Sequence, residues 1–94
     1  MDLKVDYYRL FFRALANEER LSIIKLLHEN REMCAQDVEK HFYMEQSTTS
    51  HHLNLLKKAG ITKSRKLGRH IMYSLNTEIF GNAIKEFQTF FFSH

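Results

Sequence analysis

A single, mainly α domain carrying one small β-hairpin is the fold class that this sequence predicts, on three observations. The chain has 94 residues, enough for one hydrophobic core and too few for two. Apolar residues recur at helical spacing through most of the chain and switch to alternation only between residues 61 and 75. There is no proline and there are only three glycines, so no linker, repeat or low-complexity segment divides the chain. The expected organisation is one unit over residues 1–94.

The elements follow in order. Residues 3–15 (LKVDYYRLFFRAL) form a helix with Leu3, Tyr7, Leu10, Phe11 and Ala14 along one side and Val5, Tyr8, Phe12 and Leu15 along another. A helix with two apolar sides needs two partners. Asn17 suits the N-cap of a second helix, and Glu18 and Glu19 put negative charge in its first turn, where the helix dipole favours it. Leu21, Ile24, Leu27 and His28 continue that helix to about Glu29, and Asn30 and Arg31 break it. A short third helix, about 35–41, follows Cys34. A turn through Tyr43 and Met44 leads into a fourth, QSTTSHHLNLLKKAG at 46–60, which Gly60 ends from the usual C-terminal glycine position. KSRKLGRHIMYSL then reads as two strands around a tight Gly68-Arg69 turn, with Ile71, Tyr73 and Leu75 alternating against His70, Met72 and Ser74. Residues 77–92 return to helix, with Ile79, Phe80, Ala83, Ile84, Phe87, Phe90 and Phe91 at helical spacings. The order α-α-α-α-β-β-α, with the hairpin as a wing, is the winged helix-turn-helix layout.

Charge points to a partner. The net charge is only +3, yet residues 46–75 carry Lys57, Lys58, Lys63, Arg65, Lys66 and Arg69 with no carboxylate. A solvated face usually mixes both signs, so a block without acids suits an anionic partner such as nucleic acid or a membrane surface. Winding 46–59 at 100° per residue puts Thr49, Leu53 and Leu56 inward, with Ala59 near their edge. Ser47, His51, Asn54 and Lys58 face the opposite way, flanked by Gln46, Ser50 and Lys57. Such a helix is about 21 Å long and fits the DNA major groove. Gln can pair with adenine edges, Ser can serve any base, and lysines reach phosphates. The candidate DNA contacts are therefore Gln46, Ser47, Thr48, Ser50, His51, Asn54, Lys57 and Lys58 on the helix and Arg65, Lys66, Arg69 and His70 on the hairpin. His52 points sideways and is expected to pack rather than to contact DNA.

LANEERLSIIKLL, QSTTSHHLNLLKKAGI and RKLGRHIMYSLN together resemble the ArsR/SmtB family of bacterial winged-helix repressors, over about residues 12–76. The resemblance implies a homodimer joined through its first and last helices and repression from an inverted-repeat operator. It also implies base reading by Gln46, Ser47, Ser50 and His51, with the wing from Arg65 to His70 along the minor groove or backbone. Glu18 stands where the family usually has proline; both suit a first helical turn. Tyr7, Leu10, Phe11, Phe80, Ile84, Phe87 and Phe91 are the expected dimer contacts, since so small a domain can hardly bury all these aromatics alone.

Many members of that family release DNA on binding a metal. The Cys-x-Cys site of the third helix is here Cys34-Ala35-Gln36, with one thiolate position kept and one lost. Soft ions need several thiolates. The family's other site needs Asp and His on the last helix, where only the terminal His94 occurs. No metal and no cofactor are expected, and Cys34 is expected to be buried and inert. A Cys34–His–Asp37 catalytic set, with His51 or His52 as base, is rejected because its members lie on short helices of one motif with no pocket-building loop, so no enzyme is expected. The one cysteine, the absence of a signal-like N-terminus and the absence of any long apolar run point to the cytoplasm and away from membranes. The alternatives are a winged-helix module that binds protein and a redox-responsive regulator acting through Cys34. The sequence leaves open an inducer or protein partner.

Overall fold

The computed structural model describes residues 3–93. Among the described residues eight elements follow one another: α1 (Val5–Leu15), α2 (Glu18–Asn30), β1 (Glu32–Cys34), α3 (Ala35–Phe42), α4 (Gln46–Lys58), β2 (Thr62–Leu67), β3 (His70–Leu75) and α5 (Thr77–Ser93). The five helices and the hairpin match the expected winged helix-turn-helix order. One element departs from it: β1 is a third strand, antiparallel to β3 with Glu32 opposite Ser74 and Cys34 opposite Met72. The sheet order is β1-β3-β2. Three residues are too few to display an alternation, and the partner strand lies far along the chain, so no local pattern marks β1.

Local signals account for the helix ends. The Asn17 side chain accepts a hydrogen bond from the Arg20 N–H at 3.0 Å and so caps α2. After α4, the Gly60 N–H donates to the Lys57 carbonyl and the Ile61 N–H to the Leu56 carbonyl, both at 3.0 Å. These are the two bonds of a Schellman ending, which needs a left-handed residue at this point. Gly60 supplies it at φ +77°, and a Cβ there would come within 3.0 Å of Ile79 Cγ2 on α5. Strand β2 therefore leaves α4 along a path that only glycine permits without strain. The α3–α4 turn uses Tyr43 at φ 55°, its side chain almost wholly exposed.

One hydrophobic cluster collects side chains from all five helices, among them Phe11 of α1, Ile23 and Leu27 of α2, Val38 of α3, Leu53 and Leu56 of α4 and Ala83 of α5. The inward arc of α1 differs from the sequence expectation. Tyr8, Phe11 and Ala14 are buried together, while Tyr7 and Leu10 are only partly covered. The arc straddles both apolar stripes, and which part of it faces inward depends on where α5 packs. Aromatic contacts join the two helices: Phe11 to Phe80 at 5.8 Å, Tyr8 to Phe87 at 5.3 Å and Phe12 to Phe87 at 4.7 Å between ring centroids. The Tyr8 hydroxyl donates to Glu86 Oε1 at 2.7 Å, so the buried phenol ends on an acceptor. Burial and the neighbouring carboxylate push its pKa up.

Candidate nucleic-acid interface

The inner face of α4 is held at several points. Thr49, His52, Leu53 and Leu56 are buried, and the Thr49 hydroxyl donates to the Glu45 carbonyl at 3.1 Å. The main anchor is polar. Arg20, buried on α2, donates from Nε to the Ala14 carbonyl at 2.8 Å and from Nη2 to the Arg13 carbonyl at 3.1 Å. Its Nη1 lies 3.2 Å from His52 Nδ1. A guanidinium can only donate, so Nδ1 accepts and the proton of the neutral ring sits on Nε2. Among the described residues that Nε2–H has no hydrogen-bond partner, with Glu19 Oε2 at 3.6 Å. Burial is the main cause holding the His52 pKa below its ordinary value, and the nearby Arg20 and His51 add to it while Glu19 opposes. His52 is thus the packed histidine that its sideways position suggested. One buried arginine ties the C-terminal end of α1 to the middle of α4.

The outer face of α4 follows from that anchoring. Gln46, Ser47, Ser50, His51, Asn54, Lys57 and Lys58 are exposed, and Thr48 is half-buried beside them. No carboxylate occurs between residues 46 and 75, so this surface offers neutral hydrogen-bonding groups, both donors and acceptors, and cations. His51, Asn54, Lys57 and Lys58 share a shallow depression along the helix. Strand β2 starts directly after the Gly60 turn and packs on α4. The hairpin tip turns at Gly68, φ +61°, and exposes Lys66, Arg69 and His70.

Arg65, exposed like the rest of the wing, is engaged by a carboxylate of the same sheet. Its Nε and Nη2 donate to the two carboxylate oxygens of Glu32, both at 2.7 Å. The pair reaches over β3 from β2 to β1, joining the edge strands of the sheet. The Arg65 guanidinium holds the Glu32 carboxyl below the usual range, and Glu32 raises Arg65 in turn. Among the described residues, Lys57, Lys58, Lys63, Lys66 and Arg69 form no ion pair. The sequence reading missed Glu32 as a member of the wing because the strand that carries it was not expected.

The expected subunit contacts divide into two groups. Phe11 is wholly buried within the single chain, against Tyr8, Phe12 and Phe80, so it belongs to the protomer core and not to a subunit interface. Tyr7, Leu10, Phe80 and Phe87 are half-covered. Ile84 and Phe91 are exposed, with the Phe91 ring 4.7 Å from Phe87. Val5, Leu21, Ile79 and Phe92 are further exposed apolar side chains outside the set of expected subunit contacts.

Cys34 is buried at the end of β1. Among the described residues, no group of three or more His, Cys, Asp or Glu is placed to hold a metal ion. His94 lies outside the described residues. None of the described helices is long and apolar enough to cross a membrane.

Comparison with known proteins yields concordant matches. A family model described as bacterial regulatory protein, arsR family, matches residues 17–64. An HTH-type transcriptional regulator of Methanocaldococcus jannaschii is 48% identical over 62 residues, covering 66% of this chain and 70% of that protein. The transcriptional repressor SdpR of Bacillus subtilis is 37% identical over 73 residues, covering 78% of this chain and 80% of the repressor. Among solved structures, a homodimeric winged helix-turn-helix DNA-binding domain from Mycobacterium bovis, described as a possible ArsR-family regulator, superposes with a TM-score of 0.76. It is 27% identical, over 96% of this chain and 82% of that one.

Proposed function

Because this chain belongs to the ArsR family of bacterial regulatory proteins, we propose that it is a homodimeric repressor that reads double-stranded DNA with α4. The observation that carries this reading is the outer face of α4: hydrogen-bonding and cationic side chains with no acid, on a helix anchored from behind by Arg20. A helix of 13 residues is about 20 Å long and enters a major groove. Gln46, Ser47, Thr48, Ser50, His51 and Asn54 lie where base edges would be met, and Lys57 and Lys58 where the strand leaves toward phosphate. Lys63, Lys66, Arg69 and His70 of the hairpin add sequence-independent backbone contacts. Arg65 joins them only if Glu32 releases it. The whole chain acts as one DNA-binding unit in the cytoplasm, with no catalytic role and no cofactor. The exposed stripe of Ile84 and Phe91 on α5, with half-covered Phe87, is the surface for a second copy. Two copies would set their α4 helices one DNA turn apart, roughly 34 Å, and so select an inverted repeat. No observation favours a protein-binding module or a redox switch at the buried Cys34 over this reading.

The first test is fluorescence anisotropy on the duplex upstream of the protein's own gene, against a scrambled duplex, across a salt series. If each protomer neutralises about five phosphates, log K falls with a slope of about −4.5 per protomer against log salt. Preference for the native duplex supports the repressor. Equal binding to both argues for a different operator, and no binding at low salt removes the DNA reading.

Variants separate the roles of helix and hairpin. Ser50→Ala or His51→Ala should lower specific binding by about 1–3 kcal/mol each and leave binding to scrambled duplex nearly unchanged. Arg69→Ala should weaken both duplexes alike and reduce the salt slope by about one. Glu32→Gln should do the reverse of Arg69→Ala, because it frees Arg65. The opposite pattern in anisotropy would mean that helix and hairpin have been given each other's task.

The subunit interface needs variants that spare the core, since Phe80, Ala83 and Phe87 of α5 pack within the chain. Ile84→Glu with Phe91→Glu should give monomers by light scattering while far-UV circular dichroism stays as in the parent. A dimer that survived the double change would place the interface elsewhere.

A further inference from the structure

We propose that the groove between α2 and the junction of β3 with α5 binds a small amphiphilic carboxylate. The groove encloses a cavity of about 380 Å³, in the range of small-molecule sites. Its floor is apolar, made by Leu21 and Ile24 of α2, Leu75 at the end of β3 and Phe80 of α5. Its rim is polar: Lys25 and His28 from α2 and Thr77 from the first turn of α5. Leu21, Ile24, Lys25 and His28 stand at i, i+3, i+4 and i+7, so one face of α2 supplies both the floor and the cationic edge. A second depression of about 280 Å³ adjoins the first through His28, Leu75 and Thr77 and adds Arg31. Lys25, His28 and Arg31 thus line the two adjoining depressions. No carboxylate lines either cavity, and neither Lys25 nor Arg31 has an ion-pair partner among the described residues.

Arg31 carries an independent mark. It sits at φ 67°, ψ −50°, just beyond the C-terminus of α2, a conformation that glycine adopts without strain and arginine does not. A cationic side chain held there at a conformational cost suits a site that uses its charge. An apolar trough edged with cations and free of acids fits a ligand with a hydrocarbon body and one anionic end. The first turn of α5 places Thr77 at the same edge, while Glu78 in that turn and the Asn76 cap offset the helix dipole there. Helix α2 also carries Arg20, so the groove shares a helix with the residue that anchors α4.

The test is calorimetric titration of the full chain with sodium octanoate, and with octanamide as the uncharged match, followed by amide chemical-shift mapping. No DNA is present, so the result is independent of the proposed repressor function. Octanoate is expected to saturate one site per chain, with shifts concentrated at residues 21–31 and 75–80. Octanamide should bind at least about tenfold more weakly, because the charge-assisted contacts are lost. Lys25→Met and Arg31→Gly should each weaken octanoate about fivefold or more while leaving octanamide unchanged. Arg31→Gly relieves strain, so it remains a valid variant even if Lys25→Met disturbs the fold. Equal affinity for octanoate and octanamide, shifts elsewhere, or no saturable binding up to millimolar octanoate would overturn the proposal. It would also fall if Leu21→Glu converted a dimer to monomers and octanoate did not bind, because a second copy then covers the groove.

Discussion

Phe11→Ala should destabilise the fold by about 3–5 kcal/mol, the range for deleting a fully buried aromatic ring. Phe11 has no exposed surface and lies among Tyr7, Tyr8, Phe12 and Phe80, with ring centroids between 5.3 and 6.2 Å away. Those neighbours come from α1 and α5, which have no backbone ladder between them, so the contact between these helices rests on side chains. A domain of this size has a total stability of about 5–14 kcal/mol, so the change removes a large part of it. Urea denaturation followed by circular dichroism measures the loss. Phe91→Ala is the control: its ring is 55% exposed, and monomer stability should change by less than about 1 kcal/mol. What Phe91→Ala should change is the protein-concentration dependence of the transition, if that ring meets a second copy. Similar losses for the two variants in a monomeric background would contradict the division between core and interface.

Arg20→Ala is expected to be the next most damaging single change, at about 2–4 kcal/mol. It strands the buried Ala14 carbonyl, removes one of the two donors to the Arg13 carbonyl and leaves the buried His52 Nδ1 without its donor. The same cluster predicts a pH dependence with a definite sign. Burial lowers the His52 pKa below the ordinary value of 6.5, so the folded chain resists a proton that the unfolded chain accepts. Above pH 6.5 the ring is neutral in both states, and its contribution to stability is fully present. As pH falls below 6.5 that contribution declines, and it levels off once the lowered folded pKa is passed. Glu19, Arg20 and His51 are the charged and titratable groups that act on the ring. His52→Asn keeps an acceptor for Arg20 and removes the titration, so the difference in Tm between parent and variant should shift in favour of His52→Asn between pH 7.5 and 5. A constant difference over that range would mean that His52 does not carry the proton linkage.

Most of the fold and the outer face of α4 were legible in the sequence because their causes are local. Helical periodicity, the Asn17 cap, the glycines at Gly60 and Gly68 and the alternation in β3 each depend on residues a few positions apart. So does the sorting of α4 into an inner and an outer side, since 100° per residue is a property of the helix itself. The family resemblance rests on the same short runs. The tertiary structure decided everything that depends on which distant segment arrives. Strand β1 exists because β3 comes back to pair with it. Arg65 left the set of free cations because Glu32, on that unforeseen strand, reaches it across the sheet. His52 could be seen to point sideways, but its partner on α2 could not be named. Phe11 moved from the expected interface into the core because α5 packs over it, and α1 periodicity is equally compatible with either side facing inward. Local pattern specifies elements and faces through backbone geometry, whereas pairing between faces is set by long-range packing, whose energy no single segment carries.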